Sequence, residues 1–104
     1  MKVKIDSNAY YLPEKKESNE SLKLDNPNWD MSKISDKTGV FTRSIASTHQ
    51  TAVDLAFEAG SRLLKDSSCK EDIDLVVLVT QSPDYVLPTS ACILQDRLGL
   101  SKKC

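Results

Sequence analysis

Residues 73–100, IDLVVLVTQSPDYVLPTSACILQDRLGL, decide the architecture. Ile73, Leu75, Val76, Val77, Leu78 and Val79 form a nearly continuous apolar run. Such a run suits a strand covered on both faces, as in a parallel sheet flanked by helices. Pro83 and Pro88 bracket the turn that follows. That turn leaves the strand's carboxyl end, where open α/β sheets place ligands. Pro88 is a favoured first helical residue; Ala91, Leu94 and Leu98 share a face, and Gly99 supplies a stop.

Upstream, the spacing predicts a helix over residues 51–65. Ala52, Ala56, Ala59 and Leu63 fall on one face, with Val53, Gly60 and Leu64 beside them. Ser47 or Thr48 is placed to cap it, and Asp54 lies in the first turn, where the helix dipole favours negative charge. Residues 66–72 read as a polar connector. Residues 3–12, VKIDSNAYYL, read as a first strand closed by Pro13. The polar stretch 14–28 reads as an exposed loop with one helical turn around 18–23, followed by a short helix over 32–37 ended by Gly39 and an extended segment over 40–46. The order strand, polar excursion, helix, strand predicts a right-handed βαβ crossover.

The 104 residues suit one small domain or part of a larger one. Hydrophobic residues make up 39% and charged residues 28%, which argues against both a membrane-spanning and a disordered chain. The 14 basic and 15 acidic residues leave a net charge of −1, and no basic stripe interleaves with aromatics, so no nucleic-acid partner is expected. No apolar run reaches the roughly 20 residues of a membrane helix. The opening MKVKIDSNAYYLP lacks the apolar core of a secretory signal, and a cytoplasmic location is expected. Cys69, Cys92 and Cys104 make no even disulfide set and no CxxC pair, so reduced thiols are expected, with Cys92 packed as a small apolar side chain.

Few residues announce chemistry. His49, the only histidine, stands in the polar setting STHQT and reads as a surface residue. Asp72 and Asp74 read as polar residues at a strand entrance, and Asp84 as a turn residue; no further ligands suggest a metal site, and no metal is expected. The dispersed Gly39, Gly60 and Gly99 build no phosphate-cradling loop. Lys33, Lys37 and Arg43 flank the Thr38-Gly39 turn and offer positive charge to an anion, although exposed lysine and arginine are most often solvated surface. Trp29 reads either as a stacking platform or as a loop anchor.

Four segments in order carry a resemblance. They are Lys33-Ile34 with Lys37-Thr38-Gly39-Val40; Arg43-Ser44-Ile45-Ala46; Ala52-Val53-Asp54-Leu55-Ala56 with Glu58-Ala59; and DLVVLVTQSPDY, LPTSAC and LQDRLGL within residues 73–100. Together they resemble the amino-terminal part of the β-ketoacyl-acyl-carrier-protein synthase III family of thiolase-fold condensing enzymes. The resemblance implies an α/β fold in which residues 1–104 are the incomplete amino-terminal half of a thiolase-like domain, βαβ elements of a mixed sheet with covering helices. It implies decarboxylative Claisen condensation of an acyl thioester with malonyl-acyl-carrier protein, in fatty-acid or related biosynthesis. The partners implied are acyl-carrier protein or coenzyme A thioesters and, for the full-length enzyme, a second copy in a homodimer; no bound cofactor is implied.

By the same comparison Cys104 opens a strand whose catalytic cysteine comes later, and the histidine and asparagine of the family's Cys-His-Asn site come later still. The expected catalytic residues in this chain are therefore none, and the chain alone is expected to be inert. Cys92 matches a helix position and not the nucleophile. Lys37 matches a residue that binds the phosphate of coenzyme A or carrier protein. Leu87 matches a dimer-interface position reaching the partner's acyl pocket. Lys33 stands nearest to the family's nucleotide-stacking tryptophan, a departure that weighs against Trp29 in that role. The alternatives are a free-standing, non-catalytic interaction module and a thiolase-fold synthase of polyketide, hydroxymethylglutaryl or alkene-precursor type. An exposed apolar edge and face are expected to make the isolated chain poorly soluble or to drive association.

Overall fold

The computed structural model describes residues 1–31, 33–65 and 69–104. These form two compact units, residues 12–49 and residues 1–11 with 50–104.

The 12–49 unit holds β1 (Lys15–Ser18), α1 (Asn19–Asp25), α2 (Ile34–Thr38) and β2 (Thr42–Ile45). The strands β1 and β2 pair antiparallel, with Lys15 opposite Ile45 and Ser18 opposite Thr42. Ser18 ends β1 and caps α1 in the same step. Its hydroxyl accepts the Ser21 amide at 3.1 Å, and the Ser21 hydroxyl accepts the Ser18 amide at 3.0 Å. This reciprocal box satisfies amides that the first helical turn leaves unpaired. Part of the stretch read as a loop is thus a strand and a helix, because its partner strand lies beyond the reach of local pattern. Ser32, in the helix expected over 32–37, lies outside the described residues; α2 itself occupies the rest of that span and ends at Gly39.

The other unit packs α3 (Ala52–Leu64) against α4 (Ser90–Leu98), with a short 3-10 turn, Cys69–Asp72, between them in sequence. Residues 66–68 of the expected connector lie outside the described residues. The core is Val53, Leu94, Leu98 and Leu100, with Ala56, Phe57, Leu64, Ile73, Val76, Leu78 and Ile93 around it. The buried face of α3 is therefore Val53, Ala56, Phe57 and Leu64; Leu63, expected on it, is exposed. Gly60 lies on the same face for a steric reason. A Cβ there would stand 3.0 Å from Leu98 Cδ1, tighter than ordinary contact, so glycine lets the Leu98 side chain lie close against α3 without shifting. Gly99 adopts φ 65° and closes α4: its amide donates to Asp96 C=O at 3.0 Å and that of Leu100 to Gln95 C=O at 3.1 Å. This places the apolar Leu100 back under the helix end.

The sheet departs from expectation. Among the described residues β1 and β2 form the only ladder, and neither 3–12 nor 73–79 pairs as a strand. Over 75–79 burial alternates, and Ile73 is packed as well. Ile73, Val76 and Leu78 pack on the helices, whereas Leu75, Val77 and Val79 are 75%, 73% and 90% exposed. The run is covered on one side, because no described element lies on the other. The opening segment is held by side chains instead: Arg62 sits 4.9 Å from the Tyr11 ring centroid, and Gln50 Nε2 donates to the Tyr11 hydroxyl at 3.2 Å.

The N-cap of α3 is Thr51, not Ser47 or Thr48. Its hydroxyl accepts the Asp54 amide at 3.2 Å, and its amide donates to Asp54 Oδ2 at 2.8 Å. Arg97 Nη1 on α4 donates to Asp54 Oδ1 at 2.7 Å, while its guanidinium lies 4.5 Å from the centre of the Phe57 ring. The Thr51 amide first, and Arg97 second, hold the Asp54 carboxyl below its ordinary value of 3.8. A lowered folded-state pKa stabilises the fold above the ordinary value, and that contribution is lost as pH falls through the lowered one. Asp54→Asn should therefore cost about 1 kcal/mol at pH 7, measured by urea unfolding. The gap to the unsubstituted chain should close as pH drops below 3.8, and a gap independent of pH would contradict the assignment.

Candidate functional site

In the 12–49 unit the Thr38-Gly39 turn is built tightly. The Thr38 hydroxyl donates to Ile34 C=O at 2.6 Å and accepts the Val40 amide at 3.2 Å. Gly39, at φ 69°, turns its amide onto Ser35 C=O at 2.8 Å. That backbone angle is strained for any residue with a side chain, which explains the Thr-Gly pair. Lys37 stands one residue before this turn, in the last turn of α2, with its side chain exposed and in no ion pair among the described residues.

Arg43 has a different fate. It lies opposite Glu17 in the ladder, and its guanidinium meets Glu17 Oε2 at 3.4 Å. Its other nitrogen donates to Asn19 Oδ1. Asn19 is buried and donates its side-chain amide to Val40 C=O at 2.9 Å and its backbone amide to Phe41 C=O at 3.2 Å. Arg43 is thus a structural clamp, and its charge is already paired. Sequence reasoning missed Glu17 and Asn19, since they lie 26 and 24 residues from Arg43 and only the strand register joins them. Lys33 is exposed at the start of α2, and Trp29 is 54% exposed, its amide donating to Asn26 C=O at 3.0 Å.

In the unit of α3 and α4, Tyr85, Val86 and Leu87 are 62%, 92% and 79% exposed. The peptide bond between Leu87 and Pro88 is cis. At 79% exposure Leu87 is presented to the outside and is no core contact. Asp84 does more than turn the chain: its Oδ1 accepts the Val53 amide at 3.4 Å, tying the loop to the start of α3. A cavity of about 380 Å³ beside this loop is lined by Leu78, Thr80, Tyr85, Val86, Thr89 and Ser90, among others. The Ser90 hydroxyl is buried without a hydrogen-bond partner among the described residues.

Cys92, expected to be buried, is exposed. The reason is angular: the buried stripe of α4 runs through Ser90, Leu94 and Leu98, and position 92 lies off it. His49, Asp72 and Asp74 are all exposed. No group of three or more His, Cys, Asp or Glu side chains able to hold a metal occurs among the described residues. No described helix is long and apolar enough to cross a membrane.

This arrangement is part of a thiolase-like α/β fold. It superposes with a TM-score of 0.80 on a 3-oxoacyl-(acyl-carrier-protein) synthase III of known structure, at 44% identity, covering 94% of this chain and 29% of that one. The corresponding enzyme of Pseudomonas aeruginosa gives a TM-score of 0.73 at 36% identity, over 88% of this chain and 27% of that one. Xanthomonas campestris OleA, at 23% identity and a TM-score of 0.75, shares the fold. No family model matches the chain.

Among curated proteins, the chain is homologous to β-ketoacyl-[acyl-carrier-protein] synthase III. It is 36% identical to that of Fusobacterium nucleatum over 96% of this chain and 30% of the relative, and 37% identical to that of Neisseria gonorrhoeae over 98% and 32%. The chain spans about 30% of the length of the relatives it matches and corresponds to their amino-terminal portion.

The two basic residues beside the Thr-Gly turn should separate in a stability assay. Arg43→Gln should destabilise the chain by about 1–3 kcal/mol, since it strips a partly buried clamp of its partner. Lys37→Gln should stay within about 0.5 kcal/mol of the unsubstituted chain. Equal effects in chemical denaturation would show that Lys37 is structural too.

Proposed function

We propose that this chain is the amino-terminal part of a condensing enzyme that joins an acyl thioester to malonyl-acyl-carrier protein with loss of carbon dioxide. What carries the reading is homology to synthase III over nearly the whole chain, in sequence and in backbone. In this reaction a cysteine thiolate takes the acyl group from its thioester. Malonyl-acyl-carrier protein then loses carbon dioxide, and the resulting carbanion attacks the acyl-enzyme. The chemistry needs an activated thiolate and preorganised amide donors at the developing oxyanion. In the proposed enzyme those groups come from polypeptide outside residues 1–104, and these residues supply scaffold and binding groups.

Two such groups are assigned. Lys37 binds the phosphate of coenzyme A or of the carrier protein's prosthetic arm. Its exposed ammonium beside a rigid turn supports this, as does the pairing of Arg43 elsewhere. A lysine serves a phosphate as a point charge with three donors. Leu87 packs at a homodimer interface and borders the partner's acyl pocket; the exposed apolar run Tyr85, Val86 and Leu87 supports that. The interaction-module alternative gains no specific observation.

The 104-residue chain alone should neither decarboxylate malonyl thioesters nor condense them. Turnover at an enzyme-like rate would refute the assignment of the thiolate to other sequence. In a polypeptide that joins these residues to the proposed nucleophile, Lys37→Gln should raise KM for the thioester donor about tenfold or more, the worth of one charge-assisted hydrogen bond, with kcat little changed. An unchanged KM would remove Lys37 from the binding site.

A further inference from the structure

We propose that Cys92 and Cys104 are a reversible thiol–disulfide pair that clips the segment after α4 onto that helix. Both residues line one small cavity of about 120 Å³, together with Leu75, Val76, Ala91 and Gln95. Both are free thiols; Cys92 is exposed and Cys104 half-buried. A small reagent can therefore reach the pair from the Cys92 side.

Gln95 ties the backbone that carries Cys104 to the helix beside Cys92. It follows Cys92 by three residues on α4, so the two side chains are neighbours on the helix surface. Its amide nitrogen donates to Ser101 C=O at 2.7 Å and to Cys104 C=O at 3.3 Å. These bonds fold residues 101–104 back along the helix. The segment is a single turn, closed by the Cys104 amide on Ser101 C=O at 3.1 Å. Bringing two sulfurs to the bonding distance of about 2.05 Å demands a Cα separation of about 4.4–6.8 Å. The adjustment falls on this short turn, while α4 stays fixed by Leu94 and Leu98 in the core. The Thr89 hydroxyl, 3.3 Å from Cys92 Sγ, donates to the sulfur that reacts first.

The oxidant is a low-molecular-weight disulfide. The Cys92 thiolate attacks one of its sulfurs, forming a mixed disulfide and releasing one small thiol. The Cys104 thiolate then attacks Cys92 Sγ, forming the protein disulfide and releasing the second small thiol. Two protein thiols lose two electrons and two protons, and the small disulfide gains them. A small dithiol or excess small thiol reverses both steps. The pair takes no part in the proposed condensation chemistry, and its oxidation is read without any turnover.

The test is oxidation of the 104-residue chain by glutathione disulfide, without denaturant and at high dilution, followed by alkylation and peptide mapping. Cleavage after lysine and arginine releases Cys104 alone, and the proposal expects it to remain attached to the 71–97 peptide that carries Cys92. Cys69 should stay alkylatable, and dithiothreitol should restore all three thiols. In the Cys104→Ser variant the reaction should stop at glutathione on Cys92. Run in strong denaturant, the unsubstituted chain should scatter its bonds among the three cysteines. The proposal fails if the native chain accumulates stable glutathione adducts, bonds to Cys69 or between chains, or the scatter seen in denaturant.

Discussion

The larger unit depends on the close approach of α4 to α3 at Gly60. The missing side chain there lets Leu98 settle against the helix backbone, and Val53, Leu94 and Leu100 complete the seam. An added Cβ at Gly60 would stand 3.0 Å from Leu98 Cδ1 and require that side chain to shift within the seam. The remaining features of this unit follow from that seam. Asp54 and Arg97 face each other across it, and Asp84 accepts the Val53 amide near one end of it. The inward half of 73–79 rests on the surface the two helices make together.

The smaller unit is organised around a polar anchor. Asn19 is buried at the junction of β1 and α1, and its two donors fix the chain at Val40 and Phe41. Arg43 then closes on Asn19 and Glu17. A buried amide is tolerated when its donors and acceptor are engaged, and here they also set the strand register. The turn carrying Lys37 is built by separate bonds within residues 34–40. Lys37 is consequently free to vary its partner without disturbing the clamp. That division between a holding arginine and an available lysine is the electrostatic basis for assigning phosphate recognition to one and not the other.

The sequence made the helices legible because their signals are local. Apolar spacing, Gly39 and Gly99 marked α2, α3 and α4 to within a few residues. Even the true cap of α3 was written out as Thr51-Ala52-Val53-Asp54, a capping box passed over for Ser47 and Thr48. The exposure of Cys92 was implicit too, since a stripe through Ala91, Leu94 and Leu98 leaves position 92 on its flank. Pairing was not legible. Nothing within β1 names β2 as its partner, and so the charge of Arg43 looked available when it was engaged. The assignment of Leu87 to an interface came from family resemblance alone; periodicity says nothing about a loop residue.

The sidedness of 73–79 joins fold to function. Its sequence is apolar at both alternating sets of positions, yet Leu75, Val77 and Val79 face outward. Full burial of an aliphatic side chain stabilises by about 1.5–3 kcal/mol, so covering three amounts to roughly 5–9 kcal/mol. The whole stability of a small domain is about 5–15 kcal/mol. Covering this face would therefore contribute on the scale of the fold itself, and the residues there are chosen for a cover that the described elements do not provide. In the proposed enzyme the cover is the polypeptide that also brings the nucleophile. Folding and catalysis would then be coupled physically: the segment that buries Leu75, Val77 and Val79 also creates the dry, preorganised surroundings an acyl-transferring thiolate requires.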